Sequence, residues 1–225
     1  MTQTNESRCT PLTPRKFIDH KIASPIKEEI SAILYEYLIA GNGIFMRAAR
    51  KEFSASLPLC TRSIKGLPAS EPGIIWHKPR IGHYLWQEIL RDARRNSSFS
   101  EFKEDVYVIY WHKSEGAWRW KAVSRERRWA ATIADDSLKE YGEACIELHT
   151  HPPGAIHFSR VDDLDESGKF RIFVILIDIH DTPQIRFRCG IYDQFFQIPA
   201  AWVSDIPTWL IDLNEIDLVI EKLFT

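Results

Sequence analysis

The spacing of apolar residues changes period along the chain, and each change marks an element. After Ser24 and Pro25, a suitable N-cap and first helical residue, Ile26, Ile30, Ile33, Leu34, Tyr37 and Leu38 recur at three- and four-residue steps. The spacing predicts a helix over 25–40, stopped by Gly41-Asn42-Gly43, which tolerate positive φ. Ile44 to Ala49 and Phe53 to Cys60 read as the arms of a hairpin whose charged tip is Arg50-Lys51-Glu52. Pro68, Pro72 and Pro79, with Gly66 and Gly73, make the next stretch an irregular connection.

Helical spacing returns at Tyr84, Leu85, Glu88, Ile89 and Ala93, predicting a second helix over 82–96 that ends at Asn96-Ser97-Ser98. The most regular hairpin follows, 106–112 and 117–123, joined through Lys113-Ser114-Glu115-Gly116. Residues 124–142 are charged and less regular. Ala144, Ile146 and Leu148 then alternate into a strand that runs up to His149. Ser159 heads a short helix, because Asp162 three positions on makes a capping box with a shorter acid. Another hairpin spans 170–178 and 184–192, and Leu213, Ile216, Val219, Ile220 and Leu223 predict a C-terminal helix.

This mixture places the chain in the α/β class, of the α+β kind. The expected organisation is a flexible polar arm over 1–24, an N-terminal helix and hairpin extension over 25–80, a main domain over 81–210 and a C-terminal helix over 211–225. With 225 residues and 44% hydrophobic content, the chain can bury one sizeable core, which excludes disordered and collagen-like classes. Lys and Arg total 29 against 31 Asp and Glu, so a net charge of -2 gives no footing for a dedicated binder of nucleic acid or membrane surfaces. Neither partner is expected. The longest purely apolar run, Ile172 to Ile177, falls far short of the roughly 20 residues a spanning helix needs. The N-terminus lacks the apolar stretch of a secretory signal. Cys9, Cys60, Cys145 and Cys189 form no CxxC pair, and they are expected as buried, inert thiols in a reducing cytoplasm.

One segment carries chemistry: Glu147-Leu-His149-Thr-His151, then Pro152-Pro153-Gly154, then Ser159 and Asp162. His149 and His151 lie two apart at the end of a strand, so both imidazoles project to one side and can reach one ion. The Pro-Pro-Gly loop and the helix begun at Ser159 can return Asp162 toward them. Two imidazoles and a carboxylate are a ligand set that zinc accepts with a fourth position open, as in catalytic sites. Taken singly, a strand histidine is a satisfied polar residue and Ser159 a helix cap, and His20, His77, His83, His112, His157 and His180 are read that way. The joint spacing of His149, His151 and Asp162 favours the metal.

The pattern His-[Ser/Thr]-His-x7-Ser-x2-Asp is met at every fixed position by His149, Thr150, His151, Ser159 and Asp162, and it resembles the signature of the JAMM, or MPN-plus (JAB), zinc metalloproteases. The resemblance implies a JAMM/MPN-like fold, a twisted mixed sheet flanked by helices, over 81–210. It also implies amide hydrolysis with Ser159 as an oxyanion donor and an upstream glutamate as general base. Glu104, at the head of a strand that follows a helix, takes that place; Glu101 and Asp105 are rivals and Glu52 a more distant one. Tyr107 stands where many members carry a small glycine. Together with the order of the surrounding elements, HTHPPGAIHFSRVDDLDE is similar to the bacterial PRTRC system protein A group over about residues 26–210. That group accompanies a ubiquitin-like protein and an E1/ThiF-like enzyme, which implies a peptide or isopeptide bond after the C-terminus of a ubiquitin-like protein as the substrate.

Two other readings compete. RadC-like, DNA-repair-associated proteins share His-x-His-Pro-x-Gly and Ser-x-x-Asp, but residues 25–80 do not read as their helix-hairpin-helix module. A non-catalytic MPN scaffold typically loses a ligand, whereas His149, His151 and Asp162 are all present. Trp111, Trp118, Trp120 and Trp129 are at least as suited to a core as to a docking surface.

Overall fold

The computed structural model describes residues 15–26, 29–98, 102, 104–123, 125–128, 131–134 and 139–217. Its first sheet is built from β1 (Ile18–Ile22), β2 (Tyr35–Ala40), β3 (Gly43–Ala49), β4 (Phe53–Thr61) and β5 (Gly73–Trp76), in that spatial order. β1 runs parallel to β2, and the other neighbours are antiparallel.

Two expectations are corrected here. The helix over 25–40 is not formed: residues 35–40 are β2, and 29–34 carry no helix. Glu36, Leu38 and Ala40 are buried on one face of β2 while Tyr35, Tyr37 and Ile39 half-cover the other. Apolar residues on both faces of a strand blur the distinction between two- and three-residue periods. Gly41-Asn42 is then a two-residue hairpin loop rather than a helix stop, since Ala40 pairs with Gly43. A Cβ on Gly41 would sit 2.2 Å from the Leu67 carbonyl oxygen, so the neighbouring chain demands glycine there. The polar arm over 1–24 is also shorter than expected, because Ile18–Ile22 join the sheet. β1 is an edge strand with alternating exposure, held by its backbone ladder rather than by apolar burial, which leaves a polar sequence. Residues 1–14 lie outside the described residues.

The second sheet begins after α1 (His83–Asn96). Along the chain follow β6 (Val106–His112), β7 (Ala117–Ala122), β8 (Arg125–Arg128), β9 (Ala131–Ala134), α2 (Lys139–Glu143), β10 (Ile146–His151), α3 (Arg160–Glu166), β11 (Lys169–Ile177), β12 (Gln184–Tyr192), β13 (Gln194–Gln197) and β14 (Ile211–Asp212). The spatial order is β13-β12-β11-β10-β6-β7, with β14 beside β12. Only β10/β11 and β12/β14 are parallel pairs in this mixed sheet. The stretch expected to be irregular, 124–142, contains the small β8–β9 hairpin and α2. Of the expected C-terminal helix, residues 213–217 are helical, 211–212 belong to β14, and 218–225 lie outside the described residues.

One apolar cluster joins the two sheets: Met46, Phe53 and Leu57 of the first, Trp86 and Ile89 of α1, and Tyr107, Ile109, Ile146, Leu148 and Val174 of the second. Arg50, at the β3–β4 turn, adds polar bonds across the same junction, donating to the carbonyls of Glu143, Ala144 and Phe170. Trp118 is buried and donates to the Pro79 carbonyl at 2.6 Å, and Trp111 and Trp120 pack half-buried against the cluster. These aromatics are core residues; Trp129 lies outside the described residues. Cys145 and Cys189 are buried thiols, but Cys60 is exposed at the end of β4, contrary to expectation, and Cys9 lies outside the described residues. Among the described residues no helix is long and apolar enough to cross a membrane.

Candidate metal centre

The register of β6 against β10 builds the site. Glu147 faces Val108 and His149 faces Val106, so continuing the antiparallel pairing by two residues sets Glu104 beside His151. Strand alternation then sorts the two faces. Ile146 and Leu148 enter the main apolar cluster, while Glu147, His149 and His151 share the opposite face. Thr150, on the core side, accepts the Asp105 N–H at 2.7 Å and donates its own N–H to the Asp105 carbonyl at 2.9 Å. Asp105 is fully buried and its carboxylate accepts from the Tyr107 hydroxyl at 3.3 Å, on the core side of the sheet. Of the rivals for the upstream carboxylate, Asp105 is thus turned away from the histidines, and Glu52 is paired with Arg50 at the β3–β4 turn. Glu101 lies outside the described residues.

Asp162 arrives from the other side of the chain by local chemistry. Ser159 caps α3, its hydroxyl accepting the Asp162 N–H at 3.2 Å, while the Asp162 carboxylate accepts the Ser159 N–H at 2.5 Å. The expected capping box is therefore formed, and it fixes the Asp162 side chain. One ligand atom from each of Glu104, His151 and Asp162 lies within 4.8 Å of the others. His149 approaches them with Nδ1, 3.3 Å from Glu104 Oε1 and 3.7 Å from Asp162 Oδ1. His151 presents Nε2, 3.7 Å from Asp162 Oδ2, because its Nδ1 is engaged by the Ala155 carbonyl at 3.2 Å. The group that could hold an ion is thus Glu104, His151 and Asp162; of the three predicted ligands, His149 stands beside it, touching Glu104 and Asp162 without joining the group as a fourth member. Ser159 is exposed at the rim.

The charges explain why such a cluster can be buried. Burial alone lowers the pKa of His149, but the neighbouring carboxylates of Glu104 and Glu147 outweigh it and raise the imidazolium to about 10. Burial alone raises Glu147, and His149, Lys169 and Arg171 bring it down to about 2. Asp162 is likewise opposed by burial, yet His151 and the bonds from Ser159 hold it well below the usual carboxylate range. Imidazole nitrogens and carboxylate oxygens are a donor set of the kind zinc takes, with an arriving ion displacing the proton that His149 holds, so the residues present fit that ion.

Sequence reasoning missed the supports. Glu147, two residues before His149 and therefore on its face, lies with Oε1 3.5 Å from His149 Nε2. Its carboxylate also accepts from the Tyr141 hydroxyl at 3.0 and 3.1 Å and from Arg171 at 2.9 Å. Strand alternation alone could have found Glu147; its partners on α2 and β11 carry no local signal. Arg188 of β12 likewise clamps α3, bonding Asp163 at 2.6 Å and Glu166 at 2.7 Å while its guanidinium lies 3.8 Å from the Phe158 ring centre and 4.1 Å from that of Phe195.

No family model, curated protein or solved structure matches the chain.

Proposed function

We propose that the chain is a zinc-dependent amide hydrolase of JAMM type, with a JAMM/MPN-like arrangement in its second sheet. The observation that carries this reading is the convergence of Glu104, His151 and Asp162 to within 4.8 Å, with His149 Nδ1 against two of the three. These groups come from β10, from α3 and from the segment before β6, and the sequence spacing alone had tied only three of them together. His149, His151 and Asp162 would hold the ion. When bound, zinc supplies Lewis acidity and makes water nucleophilic near neutral pH.

The chain's own residues supply the rest. Glu104 is partly exposed at the edge of the cluster, where a carboxylate can take the proton of the attacking water and return one to the leaving amine. Ser159 uses its hydroxyl oxygen as an acceptor in the capping box, so the O–H remains to donate to the substrate carbonyl oxygen as negative charge develops there. Asp162, held ionised, opposes the positive charge at the centre, and the capping box keeps it from swinging away. The substrate class favoured by the sequence resemblance is the peptide or isopeptide bond after the C-terminus of a ubiquitin-like protein.

The test is metal content and one substitution. Purified protein should retain about one zinc, and Glu104→Gln should abolish cleavage of a ubiquitin-like C-terminal fusion while keeping the ion. A metal-free protein that takes up no added zinc would overturn the reading.

A further inference from the structure

The two histidines of β10 face the cluster with different nitrogens. His151 has Nδ1 against the Ala155 carbonyl and Nε2 toward Asp162. His149 is reversed, with Nδ1 toward Glu104 and Asp162 and Nε2 toward Glu147. His149 Nε2 is a buried polar atom with no hydrogen bond, 3.5 Å from a carboxylate that is itself almost wholly buried. That carboxylate is rigidly seated. Besides the Tyr141 hydroxyl, Arg171 holds it at 2.9 Å and Lys169 at 3.3 Å. Arg171 is pinned in turn by the Tyr141 carbonyl at 2.5 Å and by the Tyr141 ring, whose centre lies 4.5 Å from the guanidinium. A carboxylate already neutralised and oriented by two cations would be costly to bury here for packing alone, and the direction left to it is the imidazole.

We propose that Glu147 is the positioning residue of His149, receiving its Nε2–H so that His149 meets the metal through Nδ1 while His151 meets it through Nε2. The proposal rests on the metal-centre reading above. A carboxylate behind a ligating imidazole fixes which nitrogen carries the proton, orients the ring and raises its basicity. Lys169 and Arg171 complete the device by keeping Glu147 from turning into the cluster as a further ligand.

Two measurements on the full chain test it. In protein loaded with cadmium-113 and labelled with nitrogen-15, metal–nitrogen coupling should fall on Nδ1 of His149 and on Nε2 of His151. Coupling to Nε2 of His149 overturns the proposal while leaving the metal centre intact. Failure of the wild-type chain to take up either cadmium or zinc overturns the centre, and this proposal with it. Zinc affinity from chelator competition at constant pH should fall 10–100-fold in Glu147→Gln, with partial recovery in Glu147→Asp, which keeps the charge. Unchanged affinity in a folded Glu147→Gln also overturns it. Should that variant fail to fold, the coupling measured on the wild-type chain decides.

Discussion

Raising the pH of the metal-free protein from 7 to 9 should destabilise it chiefly through the buried His149, with the buried Glu166 carboxyl, pushed up to about 8 by burial, adding a smaller loss. The pKa of His149 is about 10 in the folded chain against an ordinary 6.5; burial works against the rise, and Glu104 and Glu147 outweigh it. The folded state therefore binds this proton more tightly than the unfolded state. Such a contribution is complete below pH 6.5 and is lost as pH climbs through 10. The full shift corresponds to about 4–5 kcal/mol, of which about 2–3 kcal/mol disappears between pH 7 and 9. At roughly 2–4 °C per kcal/mol for a chain of this size, the melting midpoint should drop by about 5–10 °C. Thermal melts of chelator-treated protein across this range measure it, with His149→Asn as the control whose drop should shrink to the smaller part contributed by Glu166. Ring nitrogen shifts of His149 at pH 8 should report an imidazolium. A flat midpoint from pH 7 to 9, together with a neutral ring at pH 8, would refute the electrostatic account of the cluster. Two carboxylates act in the opposite sense: Glu147, lowered to about 2, stabilises fully above 4.5 and loses this as pH falls through 2, and the lowered Asp162 behaves likewise from 3.8 downward. His149, Glu147 and Asp162 together therefore contribute most between about pH 4.5 and 6.5, while Glu166, raised to about 8, contributes fully below 4.5 and loses this as pH climbs through 8.

Arg188→Met should cost about 1–3 kcal/mol by leaving the buried Glu166 carboxyl, already raised to about 8 by burial, without its donor, and Arg188→Lys should recover little, because an ammonium cannot stack between Phe158 and Phe195 while bonding two acidic side chains; denaturant titration distinguishes the two. Ser159→Ala should lower stability by about 1 kcal/mol through loss of the α3 cap, and Ser159→Asn should restore stability but not cleavage; recovery of both would reduce Ser159 to a cap. Gly190→Ala should destabilise by about 1–3 kcal/mol, because the added methyl would lie 2.5 Å from the Phe173 ring; an unchanged unfolding midpoint would show that the ring moves aside freely.

What was legible in the sequence followed from local rules. The His149–His151 pair needs only strand alternation, and the Ser159–Asp162 capping box needs only a helix start, so both were readable at their residue numbers. Glu104 became legible only through a pattern from elsewhere, since its place beside His151 depends on a strand pairing between segments far apart in the chain. Glu147 was visible as a residue but not as a partner, because Lys169, Arg171 and Tyr141 reach it through the parallel β10/β11 register and the packing of α2. The region 25–40 differs from its expected helix for a related reason: Ile33, Leu34, Tyr37 and Leu38 satisfy a helical spacing because β2 carries apolar residues on both faces, and only the sheet around it decides between the two periods. The strand over 18–22 was unreadable because an edge strand asks little of its side chains.

Arg50 has a practical consequence for anyone trimming this chain. Its guanidinium spans from the loop after β3 to three carbonyls at the roots of β10 and β11, alongside a shared band of apolar side chains. Excising everything before α1 to obtain a smaller fragment around the candidate metal centre would strip those carbonyls of their donor and wet the underside of the strand that bears both imidazoles. The two sheets should exchange their slowest amide protons together, and a truncation placed between them would sever a single cooperative unit.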